Sequence, residues 1–198
     1  MSSPPIALLV LDMQNGVFGR VGSDDLLEAV QRAIEAARHA QVKVLFVRTA
    51  FREGYPEVSG RNKAFAQIAG RGRAFLESSH ETQLLREIAP VDGDVVVVKR
   101  RFGAFTGNDL TEVLRAQQIH ELVHVGVSSA GAVLSTLRQA ADLDFGLTVL
   151  SDACADPDPE VHRVLVEKVY PMQAQVLTAV DWAASLAVPT FATAPRPP

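Results

Sequence analysis

Asp12 closes the apolar run Ile6–Leu11 in the stretch IALLVLDMQN. A carboxylate delivered to a half-buried strand end is suited to proton transfer, although an Asp there also caps the turn that follows. Lys99 stands in the same relation to the four valines of VVVVKRRFGAFTGNDL. An ammonium at that edge would counter the charge of Asp12 or stabilise negative charge developing on a bound molecule; a strand-end lysine also simply reaches solvent. Arg100 and Arg101 read as structural or solvated. A third place is GVSSAGAVLST, residues 126–136, which has the form of a strand, a small-residue turn and a helix start. The backbone N–H groups of such a turn would cradle an anionic oxygen. The fourth is Cys154 in SDACAD, the chain's single thiol, at a position where a small buried cysteine is more often structural than reactive.

These positions draw their meaning from the elements that deliver them. Short β-branched runs at Ile6–Leu11, Val42–Val47, Asp94–Val98, Leu122–Val127, Leu147–Leu150 and Gln175–Thr178 are continuously apolar, as strands covered on both faces are. Helical stripes lie between them. One begins after Ser23 (Leu27, Val30, Ile34, Ala37), one at Asp109 with Glu112 in capping-box spacing, one holds Val133, Leu134, Leu137 and Ala141, and one opens at Asp158-Pro159 (Val161, Leu165, Val169). Strands alternating with helices predict a three-layer α/β/α domain around a six-stranded, mostly parallel sheet over residues 1–188, with ligands gathering where the strands end. Residues 50–90 break the rhythm, because Gly54, Pro56, Gly60, Gly70 and Gly72 interrupt a stretch rich in Arg and Phe, as in segments that carry substrate loops. The four prolines in 189–198 read as a tail that is disordered or lies on a neighbouring subunit.

With 198 residues, 47% apolar and 21% charged, the chain is long enough for one core, and a single cysteine rules out a disulfide framework. A net charge of −4 with scattered basic residues speaks against nucleic acid as the main partner. The N-terminal stretch has no basic residue before an apolar run of six, and no run approaches a membrane span, so the expectation is a cytoplasmic protein with neither signal peptide nor anchor.

In this order, LLVLDMQ, VVVVKRRFGAF, GVSSAGAVLST and TVLSDACADPDPEVH resemble the isochorismatase-like hydrolase superfamily, also called the cysteine hydrolases, from Ile6 to about Ala187. The resemblance implies that family's Rossmann-like fold, a small-molecule substrate and assembly into a homodimer or homotetramer. Its amidase branch uses an Asp, a Lys and a Cys. Carried across, the Asp is Asp12 and the Lys is Lys99. In the pattern G-x-x-T-x-x-C-V-x-x-T, Gly126, Val133 and Thr136 match, Ser129 replaces the Thr, and the Cys position holds Ala132. A methyl group cannot attack an amide, and no Ser-His pairing is evident to activate Ser128 or Ser129 instead. Isochorismatases carry a small residue at that position and hydrolyse an enol ether. Such chemistry needs a proton delivered to a vinyl carbon, which Asp12 could supply with Lys99 tuning or orienting it. The first expectation is therefore a hydrolase of a small anionic organic molecule with Asp12 as general acid/base, Lys99 beside it and no Cys nucleophile. The alternatives are a Cys-dependent amidohydrolase carrying a Cys-to-Ala change at Ala132, and a catalytically silent relative that binds a ligand or partner.

For an anionic substrate, Arg52 and Arg61 in the segment after the second strand are candidate cations. Gln14, Phe18, Phe105, Ser128, Ser129 and Gly131 complete the expected substrate-binding set. The segment lacks the Asp-x-His pattern with which nicotinamidases of the family bind metal, and none of the histidines (His39, His80, His120, His124, His162) has a second ligand at metal spacing, so neither metal nor cofactor is expected.

Overall fold

The computed structural model describes residues 5–187, so the Pro-rich tail at 189–198 lies outside the described residues. Six strands, β1 (Ile6–Leu11), β2 (Lys43–Thr49), β3 (Val95–Lys99), β4 (Glu121–Val127), β5 (Gly146–Ala155) and β6 (Gln175–Leu177), form a sheet in the order β3-β2-β1-β4-β5-β6. Every pairing is parallel, so the sheet expected to be mostly parallel is wholly so. The helices are α1 (Asn15–Val21), α2 (Asp24–His39), α3 (Lys63–Ala69), α4 (Leu110–Ala116), α5 (Leu134–Asp142), α6 (Pro159–Val164) and α7 (Ala179–Ala187). None among the described residues is long and apolar enough to cross a membrane.

Successive side chains of a strand point to opposite faces. Leu8 and Val10 of β1 therefore pack with Val30 and Ile34 of α2 and Trp182 of α7, while Ala7, Leu9 and Leu11 pack with Leu114 of α4 and Leu137 of α5. Each fully buried aliphatic side chain contributes roughly 1.5–3 kcal/mol, and β1, central and covered on both sides, anchors the three layers. The chain builds β1, β2 and β3 outward in one direction and β4, β5 and β6 in the other. The β1/β4 boundary is thus the switch point at which such sheets leave a crevice beyond their carboxyl ends.

Ser23 caps α2 by accepting from Leu26 N at 3.2 Å, and Asp158 caps α6 by accepting from Glu160 N at 2.9 Å. The capping box expected at Asp109 does not form. Its backbone sits at φ −97°, ψ 11° instead of the extended conformation of an N-cap, and Asn108 Oδ1 takes the N–H of Leu110. The fifth strand was expected to end at Leu150, but β5 continues to Ala155 past a register shift against β4. Its polar residues are accommodated by bonds to β6 and the start of α7, Ser151 Oγ donating to Leu177 O and Asp152 accepting from Ala179 N. In residues 50–90, Phe51, Phe65 and Phe75 form a separate small core that holds α3 beside the sheet edge.

Candidate active site

Asp12, Thr49 and Lys99 emerge at the carboxyl ends of three adjacent strands, with Thr49 and Lys99 directly paired across β2 and β3. Lys99 Nζ donates to Asp12 Oδ2 at 2.7 Å, to Thr49 Oγ1 at 2.6 Å and to Arg101 O at 3.2 Å. Those three bonds use every donor an ammonium has. Thr49 Oγ1 in turn donates to Asp12 Oδ1 at 3.0 Å, closing a ring of polar atoms. Side-chain exposure is 2% for Lys99 and 10% for Asp12, so the carboxylate is the member of the pair that faces outward. The Asp12 backbone has φ 50°, a left-handed value Asp tolerates better than most residues, and its N–H donates to Val47 O at 2.8 Å. Close beside it, Gly126 has φ 122°, and a Cβ there would stand 2.0 Å from Leu11 O. Only glycine lets β4 lie so near β1 where Asp12 leaves the sheet.

The turn after β4 is a wide helical turn, Ser129–Val133, leading into α5. Its N–H groups are less free than the sequence suggests, because Ala130 N donates to Asp156 Oδ2 and both Gly131 N and Val133 N donate to Ser128 O. Two faces result. Ser128, Gly131 and Ala132 face the pocket described below, and Ala132 presents only a methyl group. Ser129 is fully buried on the other side, where its Oγ lies 2.8 Å from His162 Nδ1 and its carbonyl accepts from Tyr170 OH at 2.9 Å. A Ser-His pairing therefore exists, contrary to expectation. It joins residues 33 positions apart, so nothing local in the sequence announces it. Burial lowers the His162 pKa, while nearby Asp156 opposes that shift.

A pocket of about 170 Å³ lies over Asp12, Thr49, Lys99 and the Ser128–Ala132 turn, walled by Phe65, Ile68 and Phe75 of the 50–90 segment and by Phe102. Val17 and Arg20 of α1 close its near side. Of the residues expected to bind substrate, Ser128 and Gly131 line it. Gln14 is fully buried beneath it, donating to the carbonyls of Thr49 and Thr82 and accepting from Thr49 N at 2.7 Å, so it braces the end of β2. Phe18 packs on the α2 core with its ring under Gly22, and Phe105 packs near Phe145 with ring centroids 5.9 Å apart; neither lines the pocket. Arg52 is exposed beside Glu57 at 3.8 Å. Arg61 lines a larger neighbouring hollow of about 640 Å³ with Lys63 and Arg101. The stacked rings of Phe65 and Phe102, 4.8 Å apart, belong to both spaces, but Asp12, Thr49 and Lys99 line only the smaller one, where the chemistry must be sought.

Sequence reasoning missed Thr49, Arg20 and Phe102, together with the walls Val17, Phe65, Ile68 and Phe75. Arg100, by contrast, behaves as expected, pairing with Glu57 and Glu77 to hold the 50–90 segment against β3. Cys154 lies in β5, outside the pocket, with Sγ directed at His124 O at 3.8 Å and its thiol pushed up to about 12 by burial. Among the described residues, no three His, Cys, Asp or Glu side chains converge as a metal site would require.

A family model described as the isochorismatase domain matches residues 6–181. The ureidoacrylate amidohydrolase RutB of Stutzerimonas stutzeri (strain A1501) is 31% identical over 182 residues, spanning 81% of this chain and 73% of that protein. The structure of an isochorismatase family protein from Burkholderia thailandensis is 26% identical, with a TM-score of 0.80 over 93% of this chain and 97% of that one. A cysteine hydrolase from Pseudomonas syringae pv. phaseolicola 1448A shares the fold, with a TM-score of 0.83 at 21% identity over 94% of this chain and 95% of that one.

Proposed function

This chain belongs to the isochorismatase family and is a hydrolase, and we propose that it cleaves a small anionic organic molecule without a cysteine nucleophile, with Asp12 as general acid and base. The observation that carries this reading is the composition of the pocket floor, where the Asp12–Lys99–Thr49 ring meets a methyl group at Ala132. Of the ion pair there, the Asp12 carboxylate is the member more open to the pocket, able to take up a proton and pass it on. Because all three donors of Lys99 point at protein atoms, its role is to hold and charge-balance Asp12 rather than to bind substrate.

For an enol ether the steps balance simply. Asp12 takes up a proton from the Lys99 ammonium that donates to it and delivers it to the terminal vinyl carbon, and the adjacent carbon becomes an oxocarbenium centre. Water adds there and returns a proton to Asp12, and the resulting hemiketal falls apart to an alcohol and a carbonyl compound. No covalent enzyme intermediate forms, so Ala132 is no obstacle. The aromatic walls, Phe65, Phe75 and Phe102, keep bulk water away from the cation until the positioned water reacts.

A second reading has a specific observation in its favour, since the relatives at 31% identity are named as amidohydrolases. In that reading Ala132 replaces a nucleophilic cysteine. One experiment separates the two: the chain and its Ala132→Cys variant are each assayed on small carboxylates bearing an enol ether and on ureidoacrylate. The proposal expects enol-ether turnover by the unaltered chain, changed no more than a few-fold by the substitution. Fast ureidoacrylate hydrolysis switched on by Ala132→Cys, with no enol-ether activity before it, would replace the proposal with the amidase reading. Turnover by neither protein would leave a ligand-binding relative and overturn both.

A further inference from the structure

The pocket has many walls but few charges. Beside the Asp12–Lys99 pair, Arg20 is the one ionisable side chain that lines it. Arg20 projects from the last turn of α1, is exposed, and forms no ion pair or side-chain hydrogen bond among the described residues. The two charges at the pocket floor neutralise each other at 2.7 Å, which leaves Arg20, among the described residues that line the pocket, as the only cation with donors to spare. We propose that Arg20 is the specificity-determining residue of this pocket, binding the carboxylate of a small monocarboxylate substrate at the mouth while the scissile part reaches Asp12. The inference deepens the hydrolase reading of the same pocket and rests on it.

Three features of the site fit this assignment. A planar guanidinium offers paired N–H groups that match a carboxylate in two parallel hydrogen bonds, a geometry an ammonium cannot reproduce. The remaining lining from α1, the 50–90 segment and the β3 exit is Val17, Ile68 and the rings of Phe65, Phe75 and Phe102, surfaces that accept a flat, unsaturated carbon skeleton and offer an anion nothing. At about 170 Å³ the pocket is smaller than the roughly 300–1,000 Å³ of sites for drug-sized ligands, which suits a short acid with one anionic end. A second carboxylate would find no second free cation inside. Outside it, Arg61, Lys63 and Arg101 line the larger hollow that meets the pocket at Phe65 and Phe102, and Arg71 and Arg73 line a hollow that meets it at Arg20 and Phe75. There Arg73 is already tied to Glu53 at 2.7 Å, leaving Arg71. Of the cations picked out by sequence, Arg52 lines none of these spaces and Arg61 lines only the larger hollow.

Calorimetric binding tests the proposal without requiring turnover, so its failure is separable from failure of the hydrolase reading. The probes are acrylate and ureidoacrylate, each compared with its primary amide, against the unaltered chain and the variants Arg20→Gln, Arg20→Lys and Arg71→Gln. The carboxylates are expected to bind the unaltered chain better than their amides. Arg20→Gln should weaken carboxylate binding on the order of tenfold, the scale of a charge-assisted pair partly open to solvent, and leave amide binding unchanged. Arg20→Lys should recover part of the loss, and Arg71→Gln should bind as the unaltered chain does. Carboxylates that bind no better than amides or do not bind at all, a preference that survives Arg20→Gln, or a loss confined to Arg71→Gln would each overturn the assignment.

Discussion

Asp12 and Lys99 lie 2.7 Å apart and Ser129 and His162 lie 2.8 Å apart, on opposite sides of the turn that follows β4. By residue type the second pair looks more like a nucleophile with its base. Its serine, however, is fully buried on the side away from the pocket, whereas Asp12 borders the pocket directly. The two pairs also differ in what they return to the fold. A neutral Ser-His hydrogen bond adds about 0.5–1.5 kcal/mol. A buried ion pair must first overcome desolvation, and well-packed apolar residues in its place are often as stable or more so. Stability is therefore a sufficient reason for the rear pair and a poor one for the front pair. A costly charge pair opening on a cavity is what a functional site looks like.

The sharpest way to break this comparison is to remove one member from each side. Asp12→Asn keeps size and most hydrogen bonding but abolishes the transferable proton, and turnover should fall by a factor of roughly 10² to 10⁴. Because the substitution also leaves the Lys99 ammonium uncompensated, denaturant unfolding should show a loss of about 3–5 kcal/mol, and rates belong at a temperature where the variant is fully folded. Ser129→Ala, in contrast, should leave turnover within a few-fold. Equal damage from the two substitutions would show that access to the pocket does not distinguish the pairs.

What the sequence disclosed follows the same division. Asp12 and Lys99 were legible because each terminates an uninterrupted apolar run, and in a parallel sheet such ends share one edge. Thr49 obeys the same rule but was hidden, since Arg48 interrupts the apolar pattern of β2 one residue early; that arginine reaches out to Thr82 O at 3.0 Å and leaves the strand intact. Arg20 escaped notice because α1 contains Gly16 and Gly19, which disfavour a helix, so no element was expected to carry it. Phe102 and Phe105 follow β3 three residues apart, and spacing alone cannot say which ring turns toward the sheet edge. The Ser129–His162 contact depends on α6 packing behind the turn, a tertiary event with no local signature.

Acid offers the next largest effect, and it acts away from the ion pair. His124, fully buried in β4, has its pKa lowered by desolvation from 6.5 to about 4. A histidine depressed in this way binds its proton more readily in the unfolded chain. Its neutral form is compatible with full stability above about pH 6.5, and stability is lost as pH falls from there toward 4. The difference of 6.5 − 4 = 2.5 units corresponds to about 3 kcal/mol at the low end of that range. His162 shifts in the same direction, again by burial. Urea unfolding at stepped pH should show this acid limb, and His124→Gln should flatten it. An unchanged limb in that variant would move the acid sensitivity to the carboxylates.

Ser129→Ala has a smaller effect on stability. His162 is half-buried and can exchange its lost partner for water, so the cost should be about 1 kcal/mol, read from the same unfolding curves. A loss several times larger would mean that the rear hydrogen bonds, including Tyr170 OH to Ser129 O, behave as one cooperative unit.

The smallest effect is expected at Cys154, and it tests whether the pocket or the end of β5 is the reactive region. Alkylating reagents attack thiolates. At pH 8 a thiol whose pKa is pushed up to about 12 is almost wholly protonated, and this one is also shielded between β4 and the helices that cover it. Labelling must therefore wait for the chain to open, and its rate should follow unfolding in urea while activity stays constant in native buffer. The thiol introduced by Ala132→Cys supplies the contrast. It would border the pocket a short way from the Lys99 ammonium, so it should label in the folded protein, and a carboxylate bound in the pocket should slow that labelling. If Cys154 were modified in native buffer with complete loss of turnover and no change in melting temperature, the chemistry would lie at the end of β5, and the Asp12 side of the turn would be reduced to structure.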